Sequence, residues 1–526
     1  MDSNKIKVII LLVLSAFAAL YLGVSAATAQ AEAVAWVAGA LVFAGCLSMG
    51  TKIWMLIPIA IGMRISFPFL PGGPTLLQAS IAAAFAFSFL LLLVRRLPWR
   101  LQLGPLEICL LILIATILQA YMRHPVGLNV IGTGSIGGRG YFEVGIAIAG
   151  CLLLFGMKAP FKDLRIVAIS SIAFGILASL LGVAAYLLPG IALLTGPILG
   201  TWGGMSVGGP QMSVDPGDAD RKISFRDLGD RLSDWIIFRI NPIRSLIHPL
   251  WGLLLIVAVT CGMLSGFRSS LLGFAMAFGL ATAYRGGMRS VMLGSLAACF
   301  AVGILAGFNA MVPLPPNIQR ALSFLPGTWD RVYVRDGEGS TDWRLEMWEA
   351  ALFTDDYIDN KVLGDGLGIS AREARAHQTM EALKVGGGGG GFDMQREYAL
   401  MVGDYHSGPV HTIRTVGYVG LVIVWIIFGV CAWKAHKLLL RVKGTRLFNT
   451  CCLLCIPMIW HPIYFTFVFG AFGKDISLLV IHLGLLRLME GSVAKELAVI
   501  QLDKEHAGSS RVQQVAERPA LLGNPA

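Results

Sequence analysis

The stretch "GDYHSGPVHTIRTVGYVGLVIVWIIFGV", residues 403–430, decides the class of fold because its character changes halfway. Its first half carries His406, His411 and Arg414; from 416 onward it is an apolar run of the kind that is stable in lipid. Runs like that second half recur along the chain. With 56% hydrophobic and only 14% charged residues among 526, and a mean hydropathy of +0.70, the chain lies far outside the range of soluble globular proteins. The expectation is an all-α, polytopic integral membrane helix bundle.

A helix needs about 20 mainly apolar residues to cross a hydrocarbon core of roughly 30 Å. Spans are read at 7–26, 33–50, 53–70, 75–94, 104–122, 140–157 and 164–188, then at 246–265, 269–284, 290–308, 416–435, 447–467 and 471–488. The first has Lys5 and Lys7 ahead of it and "SAATAQA" behind it, which also fits a cleaved signal peptide; the spans that follow at once favour an uncleaved helix. Basic loops stay cytoplasmic, and "RRLPWR" (95–100), "KAPFKDLR" (158–165), "YRGGMR" (284–289) and "KAHKLLLRVKGTR" (434–446) all read as inside. Both termini are then cytoplasmic and 309–415 is a long periplasmic loop. Between 158–165 and the inside segment "FRINPIRS" (238–245) the crossings must be even in number. Only 164–188 is a full span there, so the Gly- and Pro-rich "PGIALLTGPILGTWGG" (189–204) is read as a short, broken crossing, for a total of 12 to 14 helices. The chain divides into an N-terminal bundle (1–308), an outer subdomain (309–415), C-terminal helices (416–488) and a partly helical cytoplasmic tail (489–526).

Several functions are excluded. The net charge of +10 is scattered over loops between spans, which gives no nucleic-acid face. The nine cysteines fall within or against spans, and "CCLLC" (451–455) has no His or carboxylate partners outside lipid, so it reads as helix packing rather than as a metal site. "GDGLGIS" (364–370) follows no βα unit and is not a dinucleotide loop. Ionisable residues within the spans read as scarce, which argues against a proton or ion relay through the bilayer.

Chemistry is therefore sought in the outer segment. In "TDWRLEMWEAALFTD" (341–355), Leu345, Trp348 and Leu352 form one helical stripe with Arg344 beside it, as on a helix at a membrane surface. The glycine run in "VGGGGGGFD" (385–393) reads as a flexible joint. A short helix-compatible stretch then delivers His406 to the membrane–water boundary, and histidine is the side chain whose ordinary pKa suits a base near neutral pH. Arg268, in "LSGFRSSLLGF", opens a span on the same side. Guanidinium forks from Arg268 and Arg344 would hold a pyrophosphate well, since each donates two parallel hydrogen bonds.

The order "SGFRSS", then "WRLEMWEAAL…LGDGLGIS", then "HSGPVHTIRTVGYVG" resembles the O-antigen ligase and polymerase family of bacterial membrane glycosyltransferases. The resemblance covers roughly 246–436. It rests on Arg268; on Arg344 with Trp348, Gly364, Gly366 and Gly368; and on His406 with Ser407, Gly417 and Gly420. The chain departs from the pattern at Thr415, often acidic in the family, at Phe267, usually small, and in carrying His411 and Arg414.

The resemblance implies a transferase of the bacterial inner membrane. It would move a glycan from a polyprenyl (undecaprenyl) pyrophosphate carrier to an acceptor hydroxyl on a glycan, lipid or protein, with inversion and with neither nucleotide nor metal cofactor. Arg268 and Arg344 would bind the pyrophosphate and His406 would take the hydroxyl proton. Arg139, in "GGRGYFEVG", would assist at the lipid phosphate, with a snorkelling anchor as the plain alternative. His411 is the second candidate base. A polysaccharide polymerase uses the same donor chemistry. A transporter of lipid-linked sugars would instead line a passage with charged residues, which the sequence does not display.

Overall fold

The computed structural model describes Gly45 and residues 48–63, 65–67, 73–97, 99, 102–126, 137–188, 190–191, 222–369 and 399–516. The predicted span at 7–26, most of the span at 33–50, nearly all of 189–204 and the glycine joint at 385–393 lie outside these residues. Among the described residues there is no β-strand, and eight helices are long and apolar enough to cross a membrane.

The helices are α1 (Gly50–Ile61), α2 (Leu76–Leu93), α3 (Pro105–Arg123), α4 (Arg139–Gly156), α5 (Phe161–Leu187), α6 (Ile223–Arg239) and α7 (Pro249–Leu264). They continue as α8 (Arg268–Met311), α9 (Pro316–Leu322), α10 (Arg331–Phe353), α11 (Gly408–Val442), α12 (Phe448–Phe467) and α13 (Phe472–Ala516). Their starts follow local chemistry. Thr75 and Gln78 close a capping box on α2, and prolines open α3, α7 and α11, where a missing N–H costs nothing. The core is built around α13, whose Gly484 lets it approach α4 so closely that a Cβ there would stand 3.0 Å from the Cα of Cys151.

The basic segments gather at one end of the bundle. Trp99 packs on Gly156, Ser492 donates to the carbonyl of Ala159, Arg446 pairs with Glu496, and Arg285 reaches both Asn449 and the carbonyl of Ile237. At this end Arg487 also pairs with Glu107 at 2.8 Å and Lys434 with Glu490 at 2.9 Å, tying α13 to α3 and α11.

One helix that the hydropathy reading missed is α6, which runs between the two ends of the bundle. Its first turn meets α7 at the other end, where the Lys222 N–H donates to the carbonyl of Ser265, while its last turn supplies the Ile237 carbonyl to Arg285. It escaped the hydropathy reading because it carries Arg226, Asp227, Asp230, Arg231 and Asp234. Leu228 and Leu232 pack against Ile176 and Val183 of α5 and Ala258 and Cys261 of α7. The α6 charges stand outside the runs read as spans, and the eight helices apolar enough to cross a membrane each have a stretch of 18 residues with at most two Asp, Glu, Lys or Arg.

Two helices are broken by a glycine in the same conformation, Gly287 (φ 72°, ψ −176°) in α8 and Gly417 (φ 73°, ψ −178°) in α11. In α8, Arg268 bonds the carbonyl of Arg320 and Asn309 that of Thr328. A straight helix would hold those two side chains about 60 Å apart, yet eight residues of chain span at most about 28 Å. The chain therefore doubles back at Gly287, which separates the two predicted spans at 269–284 and 290–308. In α11, Gly408 packs on the ring of Phe465, and Phe428, twenty positions later, has its ring centroid 5.1 Å from the same ring. Here too the chain reverses: residues 408–416 are a helical limb folded back beside the span, not a lead into it. The tail expected to be partly helical continues α13 as far as Ala516.

Candidate functional site

The reversal at Gly417 removes two rungs of the helix ladder, and the outer segment replaces them. In an unbroken helix the N–H groups of Tyr418 and Val419 would bond the carbonyls of Arg414 and Thr415. Instead Tyr418 and Val419 donate to the carbonyls of Lys361 and Val362 (2.8 and 3.2 Å), while Asp365 and Gly366 donate to those of Arg414 and Thr415 (2.7 and 2.9 Å). Buried backbone groups must find partners within the protein, and this clamp satisfies all four.

The close approach requires glycine on both sides. Gly364 has φ 77°, and a Cβ there would stand 2.5 Å from the backbone nitrogen of Gly417; a Cβ at Gly417 would overlap the carbonyl oxygen of Val362. The clamp is itself braced. Asp365 accepts the N–H groups of Asp359 and Asn360, Arg123 donates to the carbonyls of Leu363 and Gly364, and the Tyr141 hydroxyl accepts the N–H of Leu367 at 2.8 Å. Arg414 is buried and donates towards the carbonyls of Gly366 and Met401, at 3.3 and 3.4 Å. It is a bracket for this loop, which the sequence reading noted only as a departure.

The folded-back limb carries His406 and His411. His406 precedes it in a left-handed conformation (φ 51°), which costs a non-glycine residue about 1–3 kcal/mol and persists only where the surroundings hold it. Those surroundings are specific. Trp348 donates from Nε1 to the carbonyl of Tyr405 at 2.8 Å, and the Tyr405 ring is fully buried. Burial pushes the Tyr405 hydroxyl up to about 12, so it stays protonated and directed at the carbonyl of Leu400. Ser407 is buried as the N-cap of α11, with its carbonyl accepting the N–H of His411.

The His406 ring sits between Trp343 (centroids 5.7 Å apart) and Phe469 (5.5 Å), and its Nδ1 is 3.5 Å from Asp404 Oδ1. The imidazole thus presents its edge. His411 is differently employed: its Nδ1 accepts the N–H of Phe472 at 3.1 Å, so it carries its proton on Nε2 and helps cap α13.

The residue after Trp343 is Arg344, and α10 is what joins the arginines to the histidine. This helix is longer than expected. Its buried face is Met347 and Ala351, with Leu352 and the two tryptophans packed around it, whereas Leu345, placed on the apolar stripe from sequence, is 52% exposed. Arg344 is half-buried beside Tyr464 of α12; burial pulls its pKa below the ordinary value, with Tyr464 opposing. Its buried Nε has no hydrogen-bond partner among the described residues. A guanidinium keeps its charge in such a setting.

Arg268 lies within electrostatic reach of Arg344, Arg320 and Asp336. It is more committed than Arg344, donating from Nε to the carbonyl of Arg320 and from Nη2 to Ser323 Oγ and the carbonyl of Tyr333. Its Nη1 makes no hydrogen bond among the described residues. The Asp336 carboxylate is itself held in a two-point pair by Arg320, at 3.0 and 3.2 Å, and also acts on Arg268, so two guanidinium groups share one carboxylate.

Arg139 is placed apart. It pairs with Glu143 at 3.1 Å at the start of α4, beside the turn at Leu367, and is not among the charges that act on Arg268. Among the described residues no cluster of His, Cys, Asp or Glu is arranged to hold a metal. Neither a scan of protein-family models nor a comparison with curated proteins finds a match for this chain.

Proposed function

We propose that the protein is a membrane glycosyltransferase that uses a polyprenyl pyrophosphate-linked glycan as donor. The observation that carries this reading is Arg344, a half-buried cation whose Nε lacks a partner among the described residues, one position from the tryptophan that packs on His406. A buried unpaired charge is costly, and an anion arriving there removes the cost. With Arg268 Nη1 in the same cluster, the anion would be polyvalent, as a pyrophosphate is.

The acceptor hydroxyl oxygen attacks the anomeric carbon, and the bond from that carbon to the pyrophosphate oxygen breaks. The arginines offset the charge that builds on the leaving pyrophosphate. His406 takes the hydroxyl proton on Nε2, while Asp404, facing Nδ1, orients the ring and stabilises the imidazolium. Attack opposite the leaving group inverts the anomeric centre. The basic end of the bundle would face the cytoplasm and the site the outer side of the inner membrane. O-antigen ligase and chain polymerase are both readings of this donor chemistry, differing in the acceptor.

The direct test is binding of undecaprenyl pyrophosphate to the purified chain. Wild type should bind it in preference to the monophosphate, and Arg344→Ala should lose about tenfold or more in affinity. Equal affinity in the two proteins would remove the reading.

One observation favours a second reading, carriage of a lipid-linked sugar across the membrane: the charged face of α6 spans the bundle, and intramembrane charges mark passages in transporters. Donor flux into proteoliposomes without an acceptor would support it; transfer without flux would dismiss it.

A further inference from the structure

The packing of Phe469 on His406 is fixed by a pair of residues that lie below it in the bundle. Phe469 belongs to the turn between α12 and α13, and that turn is held at three points. Asp475 Oδ2 accepts the N–H of Ala471 at 2.7 Å, the Asp475 N–H returns to the carbonyl of Ala471 at 3.0 Å, and His411 takes the N–H of Phe472. Glycines allow the turn to press onto the histidine limb, since a Cβ at Gly470 would stand 2.7 Å from the Cα of Gly408.

The other oxygen of Asp475 accepts from His461 Nε2 at 2.8 Å. His461 is 6% exposed, with Phe428 edge-on to its ring and the His482 ring 6.1 Å away. Its Nδ1 is buried without a hydrogen-bond partner among the described residues. A residue there only to fill space would be apolar; His461 tolerates an unsatisfied nitrogen while its other nitrogen holds Asp475.

We infer that His461 is a positioning residue: through Asp475 it fixes the 468–472 turn, so that Phe469 holds the His406 imidazole edge-on to the acceptor. The inference rests on the reading of His406 as the base. It assigns His461 no contact with substrate. Its effect is on orientation, so turnover should change while donor binding, which belongs to the arginines, should not.

Three variants of the full-length purified chain test this. His461→Phe keeps a ring and removes the donor, His461→Gln places an amide nitrogen where Nε2 stands, and Phe469→Ala removes the ring from His406 without touching the buried pair. Two readouts are taken: the rate at which diethyl pyrocarbonate acylates His406, located by mass spectrometry, and the kcat and donor KM of glycan transfer. In His461→Phe and Phe469→Ala, acylation of His406 should rise about fivefold and kcat should fall about tenfold, with donor KM unchanged. His461→Gln should restore both.

Acylation at the wild-type rate in His461→Phe and Phe469→Ala, or a Gln variant that behaves like Phe, overturns the inference. If His461→Phe does not purify as a folded species, Phe469→Ala and His461→Gln decide it by the same acylation readout. If acylation follows the expected order but wild type transfers no glycan, the functional reading fails and the positioning stands.

Discussion

Gly287 and Gly417 adopt the same backbone conformation to within two degrees, and both send a helix back on itself. What surrounds them differs. A Cβ at Gly287 would meet nothing within 4 Å, whereas Gly417 is buried under the 361–366 clamp. The first reversal is a turn between two spans at the basic end, where exposed backbone can be hydrated. The second lies inside the protein, and four hydrogen bonds from a distant segment make it possible. One glycine makes a connection; the other joins the "GDGLG" turn to the histidine limb, so that two motifs far apart in sequence become one structure.

This comparison is easiest to break at the clamp. Gly417→Ala and Gly364→Ala each combine a strained positive φ with overlap against backbone that cannot move aside, and should cost about 3–5 kcal/mol. In detergent, tryptophan fluorescence should show the largest fall in apparent Tm for these two, and transfer should disappear. Gly287→Ala keeps only the strain, about 1–3 kcal/mol, so its Tm should fall less and its transfer should persist. The smallest effect belongs to Tyr141→Phe, which removes the hydroxyl that accepts the Leu367 N–H and should lower stability by about 1 kcal/mol. A Gly287→Ala variant as damaged as Gly417→Ala would mean that conformation alone, and not the clamp, sets the cost.

The sequence disclosed what depends on hydropathy and little of what depends on distant backbone. The apolar runs at 75–94, 104–122 and 447–467 each correspond to a helix, and the basic loops do meet at one end. Helix α6 was hidden because its apolar residues alternate with charged ones, which a window average cannot see. "VGYVG" sits in a continuous apolar run and gives no sign of a reversal, since the partners of its backbone lie about fifty residues upstream and no side chain announces them.

Among the site residues, Arg344, Trp348 and His406 were legible as a charge, an aromatic and a base in a polar segment. The roles of Trp343, Phe469 and Tyr464 were not, because each looks like ordinary apolar boundary material until the helices pack. His461 and Asp475 stand in different helices, fourteen positions apart, and read singly as a core histidine and a helix-start acid.

The central claim is that Arg344 and His406 are the anion-binding and proton-accepting halves of one transfer site. It is tested most directly by glycan transfer in membranes carrying Arg344→Ala, Arg268→Ala or His406→Ala at matched expression, following the polyprenyl-linked donor. The account predicts that donor accumulates and product is lost in Arg344→Ala and His406→Ala. Arg268→Ala should also lose stability, because that side chain holds the carbonyls of Arg320 and Tyr333. Normal transfer by folded Arg344→Ala and His406→Ala proteins would contradict it.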